Sequence, residues 1–128
     1  MIFKPELVRK VLAGTKTVTR RRIRNGRRPP YKVGHVYAVQ PGRGKWHVGH
    51  VVVLSVHEEP LMAVGRHEAE AEGFGDGTGL DDPLGEFRDY WRRLHGVFLF
   101  DELVVVIGFE LWPSELGCCA EMPDGVGS

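Results

Sequence analysis

The longest uninterrupted apolar run in the chain, Leu103-Val104-Val105-Val106-Ile107, is five residues long. Consecutive branched aliphatic residues in so short a run suit a strand covered on both faces, and they fall far below the roughly 18 residues that cross a bilayer as a helix. The chain is therefore expected to fold around a buried strand over Glu102–Leu111. With 128 residues, 42% of them apolar, it holds material for one core and one domain. Lys4 and Glu6 interrupt the N-terminus before any apolar signal core can form, so the expected location is the cytoplasm.

The other elements are short. PELVRKVL at residues 5–12 predicts an amphipathic helix with Leu7, Val8, Val11 and Leu12 on one face, Pro5 in the first turn and Gly14 as its stop. Thr17-Val18-Thr19 is β-branched and predicts extended chain, which places Lys16 and Thr19 at a helix-to-strand junction. NGRRPPYKVG at residues 25–34 reads as a mobile connection. HVYAVQ at residues 35–40 and a longer segment from Trp46 to His57 predict two strands of a hairpin joined through PGRGK. HEAEAE at residues 67–72 predicts a short acidic helix ended by Gly73. GFGDGTGLDD after it reads as a candidate lid. Phe87, Tyr90, Trp91 and Leu94 recur at helical steps and predict a helix over 84–95 capped by Gly96, with its aromatic face in the core. Residues 113–128 show no core-forming pattern and are expected to be a flexible tail. Short strands, few helices and no βαβ rhythm predict an α+β fold, a small mixed β-barrel flanked by short helices.

Charge is unevenly distributed. Residues 1–45 carry thirteen Lys and Arg against Glu6 alone, and residues 46–128 carry four against sixteen acids, so a net charge of zero conceals +12 facing −12. The two segments can neutralise each other across the surface. They can also leave a patch that meets phosphate, and Arg20, Arg21, Arg22, Arg24, Arg27 and Arg28 are too closely spaced for complete pairing. Cys118 and Cys119 are adjacent and supply neither a disulfide framework nor a spaced metal site. The six histidines have no CxxC partner, and His47 and His50 read as strand residues.

The segment Gly14-Thr15-Lys16-Thr17-Val18-Thr19-Arg20-Arg21 resembles the G-x-K-x-x-T-x-R signature of ASCH domains, whose fold is similar to that of PUA RNA-binding domains. The opening FKPELVRKVLAG, the strand entry YKVGHVYAV, the helix end AEAEGF, the helix FRDYWRRLHG and the closing VVVIGFEL occur in ASCH order. The resemblance covers roughly residues 2–111 and implies a PUA-like barrel over residues 1–112. Some ASCH proteins are small amidohydrolases that deacylate N(4)-acetylcytidine with a lysine, a threonine three residues on, and a glutamate from the acidic helix. The resemblance carries these onto Lys16, Thr19 and Glu72, with Glu70 as the substitute if the helix aligns differently. It puts the signature arginine at Arg21 and implies no metal and no cofactor.

Amide hydrolysis needs a nucleophile, a proton acceptor and a group that steadies the oxyanion. Lys16 can serve as base if neighbouring Arg20 to Arg22 depress its pKa. Alternatively Glu72 takes the proton while charged Lys16 holds the oxyanion. Each of the three can equally be an ordinary surface or strand residue. Arg20, Arg21, Arg22, Arg43 and Lys45 are candidate contacts to substrate or nucleic acid. Trp46, beside the PGRGK turn, is placed either to stack on a base or to pack. Trp91 and His95 read as core and helix-end residues. The arginine run exceeds what a free nucleoside requires. The expected partner is thus a modified nucleoside or RNA, with a non-catalytic RNA-binding module and an ASCH-type ribonuclease as the competing functions.

Overall fold

The computed structural model describes residues 1–112. Helix α1 (Pro5–Leu12) leads to strand β1 (Val18–Arg22), strands β2 (Val36–Val39) and β3 (Gly49–Pro60), a 3-10 turn at Leu61–Ala63, helices α2 (Arg66–Ala71) and α3 (Pro83–His95), and strand β4 (Leu103–Leu111). The expected tail at 113–128, with Cys118 and Cys119, lies outside the described residues.

The strands form one antiparallel sheet in the order β1-β4-β3-β2. The α+β architecture is as expected. The sheet remains open, with β1 and β2 as its edges, and the N-terminal segment adds only a parallel bridge between Ile2 and Gln40. The apolar run of β4 is explained by its central position. Val105, Ile107 and Phe109 enter one core cluster with α1, Val39, Val51 and Val53. Val104 and Val106 enter a second with Phe87, Trp91, Leu61, Val64 and Phe98. A central strand covered on both faces has no polar side to present, so periodicity alone could not reveal which residues face which helix.

The predicted hairpin is present, with Val36 opposite Val52 and Val39 opposite Gly49. Strand β3 begins three residues later than the sequence pattern suggests and runs on to Pro60, with a register shift between Val53 and Ser55 that turns Leu54 outward. The expected connection at 25–34 opens with a tight turn in which Arg24 and Arg27 exchange both backbone hydrogen bonds, Arg24 N to Arg27 O at 3.1 Å and Arg27 N to Arg24 O at 2.8 Å. Asn25 at φ 53° and Gly26 at φ 73° give it the left-handed backbone of a two-residue hairpin.

The glycine-rich loop after α2 does not cover the site as a lid. Its acidic side chains bond its own backbone: Asp76 Oδ1 accepts from the Thr78 amide at 3.0 Å. Arg66 holds Asp81 at 2.7 Å, and Asp82 caps α3 by accepting from the Gly85 amide at 3.1 Å.

Candidate functional site

The site begins where α1 stops. Gly14, at φ 80°, turns the chain, and the amides of Thr15 and Lys16 both donate to Lys10 O at 3.0 Å. The Thr17 amide then donates to Ala71 O at 2.8 Å, and Thr17 O accepts from the Phe109 amide at 2.9 Å. These two bonds clamp the start of β1 between the end of α2 and the central strand. Lys16 and Glu72 are thereby brought side by side although 56 residues separate them in sequence. Glu72 is the residue that caps the C-terminus of α2, and Gly73 follows at φ 103°. A Cβ on Gly73 would lie 3.3 Å from Lys16 Cβ and from Lys10 Cδ, so the close approach of these segments depends on glycine.

Lys16, Thr19, Arg20 and Glu72 are all buried. Lys16 Nζ donates to Glu72 Oε1 at 3.0 Å, Glu72 O at 2.7 Å and Val18 O at 2.9 Å. Arg20 reaches the other carboxylate oxygen, Glu72 Oε2, at 2.9 Å. One carboxylate is thus shared by two buried cations. Burial pushes the Lys16 pKa below its ordinary value; Glu72 opposes that shift, while Arg21 and Arg20 reinforce it. The three acceptors around Nζ use all the protons of an ammonium, so the charged form is the one this geometry satisfies. Thr19 Oγ1 accepts from Arg21 Nε at 3.3 Å, and Arg21 Nη2 donates to Ile2 O at 2.8 Å. Glu70, the substitute carboxylate, is partly exposed and pairs with Arg66 and His67, away from Lys16.

Above this cluster opens a cleft of about 670 Å³ bordered by residues from α1, β1, α3 and the loops after β1 and β2. Nine of its lining residues are Lys or Arg and one, Glu72, is acidic. The charge segregation read in the sequence is therefore concentrated at one cavity. Some of these cations are spoken for: Arg22 pairs with Glu102 at 2.7 Å and Arg28 with Glu58. Arg21, Arg22 and Arg43 line the cleft together with Lys16, Thr19, Arg20 and Glu72. Lys45 and Trp46 lie outside it, and the Trp46 side chain is free of the core at 87% exposure.

Helix α3 contributes more than core. Tyr90, Trp91, Leu94 and His95 form one wall of the cleft, while Trp91 also packs against Phe87. Burial holds the Tyr90 hydroxyl up to about 12, so it is a proton-bearing donor at neutral pH. Burial lowers the His95 pKa, with Arg22 and Arg24 adding to the effect. Sequence reasoning favoured core packing for Trp91 over a ligand role because helical periodicity marks a buried face without saying whether a cavity interrupts it. Among the described residues no group of three or more His, Cys, Asp or Glu is placed to hold a metal, and no helix is long and apolar enough to cross a membrane.

An open antiparallel sheet flanked by helices, with Lys16, Thr19 and Arg21 in signature order at the junction of α1 and β1, is the arrangement expected of an ASCH domain. The family model described as the ASCH domain matches residues 1–121, and the chain belongs to that family. Among solved structures it is similar to the ASCH domain from Lactobacillus crispatus JV V101, with TM-score 0.66 at 23% identity over 83% of this chain and 70% of that one. A protein from Enterococcus faecalis V583 gives TM-score 0.62 at 21% identity over 93% of this chain and 77% of that one. The ASCH protein from Zymomonas mobilis gives 0.57 at 17% identity over 87% and 67%. Identities this low speak to the fold. No curated protein matches the chain.

Proposed function

We propose that the cleft hydrolyses the exocyclic amide of an acylated cytidine of the N(4)-acetylcytidine type, with Lys16, Thr19 and Glu72 as its reacting groups. The observation that carries this reading is the shared carboxylate: Glu72 binds buried Lys16 and buried Arg20 at once, and all three line the same open cleft as buried Thr19. Two desolvated cations in one cleft are costly to keep without a task, because burying an ion without full compensation weakens the fold.

In this reading Thr19 Oγ1 attacks the acyl carbon, and the proton it sheds goes to the Lys16–Glu72 pair. As negative charge grows on the carbonyl oxygen, Lys16 or Arg20 turns toward it, in a site already dry enough for the attraction to count. Collapse of the tetrahedral intermediate expels the cytidine amine with a proton returned from the same pair, and water then releases the acyl group from Thr19. Arg20, Arg21, Arg22 and Arg43 orient the substrate. Lys45 and Trp46, outside the cleft, would meet only a substrate that extends past it.

The test is release of cytidine from N(4)-acetylcytidine, followed by absorbance, by the purified chain and by Thr19→Ala and Lys16→Ala. Turnover that both substitutions abolish in folded protein is the expected result. A folded wild type with no turnover on this substrate or its phosphorylated form rejects the reading.

A second reading, an RNA-binding module without catalysis, is favoured by the cationic lining of the cleft. It predicts that Thr19→Ala binds RNA as the wild type does and that affinity falls steeply with salt.

A further inference from the structure

The cluster at the floor of the cleft accounts for Lys16, Arg20 and Glu72, and ion pairs account for Arg22 and Arg28. Of the other arginines lining the cleft, Arg21 is held by Thr19 Oγ1 and Ile2 O, while Arg24, Arg27 and Arg43 have neither an acidic partner within salt-bridge distance nor a side-chain hydrogen bond among the described residues. All three are exposed, whereas Lys16, Thr19 and Glu72 are buried, so the cations stand at the mouth and the reacting groups at the floor.

Their placement is set by backbone. Arg24 and Arg27 are the directly opposed, hydrogen-bonded pair of the Asn25-Gly26 hairpin, and opposed residues of such a pair send their side chains to the same face. Arg43 comes from the other turn that borders the cleft, between Gly42 and Gly44, the latter at φ 75°. The walls between mouth and floor are aromatic: Phe3, Tyr31, Tyr90 and Trp91. Flat apolar walls suit a base, and a group of unpaired guanidiniums at the entrance suits an anion carried a few ångströms from that base.

We propose that Arg24, Arg27 and Arg43 form a phosphate clamp, so that the cleft takes its cytidine on a phosphorylated ribose in preference to the free nucleoside. The inference rests on the nucleoside reading of the cleft but not on hydrolysis. A free nucleoside carries no charge for three unpaired arginines to meet. The phosphate is either the terminal group of a mononucleotide or an internal ester of a strand, and the chemistry at the clamp is the same for both.

The experiment measures affinities by titration calorimetry at low ionic strength for cytidine, cytidine 5′-monophosphate and a short cytidine oligonucleotide with hydroxyl ends, none of which needs to be turned over. The phosphorylated ligands should bind at least about tenfold more tightly than cytidine, in line with charge-assisted bonds to phosphate. Arg24→Ala/Arg27→Ala should collapse that preference to about threefold or less, and Arg43→Ala should reduce it in part. Arg9→Ala/Arg92→Ala, which removes the same charge outside the cleft, should keep it. A mononucleotide that outbinds cytidine while the hydroxyl-ended strand does not assigns the clamp to a terminal phosphate, and the converse assigns it to a strand. Equal affinity for cytidine and both phosphorylated ligands overturns the clamp, as does a preference that survives Arg24→Ala/Arg27→Ala. Because acetylcytidine turnover is read separately, loss of the hydrolase reading and loss of the clamp are distinct results.

Discussion

Glu72 Oε1 lies 3.0 Å from Lys16 Nζ while Glu72 Oε2 lies 2.9 Å from Arg20 Nη1, so one buried carboxylate is shared by two buried cations, with Glu59 a second and longer partner of Arg20 at 3.6 Å. The arrangement makes the three residues unequal in stability. Glu72→Gln leaves buried Lys16 without a counterion and Arg20 with only the longer 3.6 Å contact to Glu59, and should cost about 3–5 kcal/mol. Lys16→Met removes a charge but leaves the Glu72–Arg20 pair intact, and should cost clearly less. Urea midpoints of the two variants test the order, which a purely apolar account of this region would not predict.

The lowered pKa of Lys16 has a sign that can be read in stability. A lysine that binds its proton less tightly folded than unfolded carries the full cost of burying the ammonium below its folded pKa. That cost is relieved as pH rises through the window up to its ordinary 10.5, because the unfolded chain binds more protons there. The stability of the wild type relative to Lys16→Met should therefore increase with pH across that alkaline window. Denaturation midpoints for both proteins, taken in parallel so that other titrations cancel, provide the measurement. A relative stability that falls with pH means that Glu72 outweighs burial.

Gly73 is the backbone counterpart of the Lys16–Glu72 contact. At φ 103°, with a Cβ meeting both Lys16 and Lys10 at 3.3 Å, Gly73→Ala faces strain as well as crowding. It should lower stability by about 1–3 kcal/mol and reduce activity along with it, since the residue it presses on is Lys16. Gly77→Ala is the control: its φ is 81° but no atom lies within 4 Å of the added Cβ, so strain alone remains and activity should persist.

How much of this was legible in the chain differs by residue. Helix α1 is found at the residues its pattern predicts, and α3 begins one residue early, because both are amphipathic segments bounded by Pro and Gly. The pairing of Lys16 with Glu72 followed from family resemblance, since nothing local in HEAEAE distinguishes Glu72 from Glu70. The structure separates them through the Thr17–Ala71 hydrogen bond, a contact between distant segments. Asn25-Gly26 carried a legible hairpin signal within what reads overall as loop. The role of α3 as a cleft wall and the open edges of the sheet depend on long-range packing, which residue patterns do not encode one element at a time.

Trp46 separates a substrate confined to the cleft from one that extends past it. It stands in the loop between β2 and β3, close in sequence to Arg43, yet it is 87% exposed and outside the cleft lining. An exposed indole contributes little to the fold, so Trp46→Ala should shift stability by no more than about 0.5 kcal/mol. A mononucleotide held between the floor and the arginines would not reach it, and its affinity should be unchanged by the substitution. A strand that continues past Arg43 can lay its next base on the indole, a contact of about 1–3 kcal/mol per stacked base. Oligonucleotide affinity should then fall by about fivefold or more in Trp46→Ala, and the wild type should show more quenching of tryptophan fluorescence than the variant, in which Trp91 of the cleft wall remains. Salt dependence gives a second, independent readout, because each arginine that contacts a single strand adds about 0.7 to the slope of log affinity against log salt. Arg43→Ala should reduce that slope by one such step and Trp46→Ala should leave it unchanged, since stacking releases no counterion. Unchanged oligonucleotide affinity in Trp46→Ala, with Arg43→Ala still weakened, would confine the ligand to the cleft.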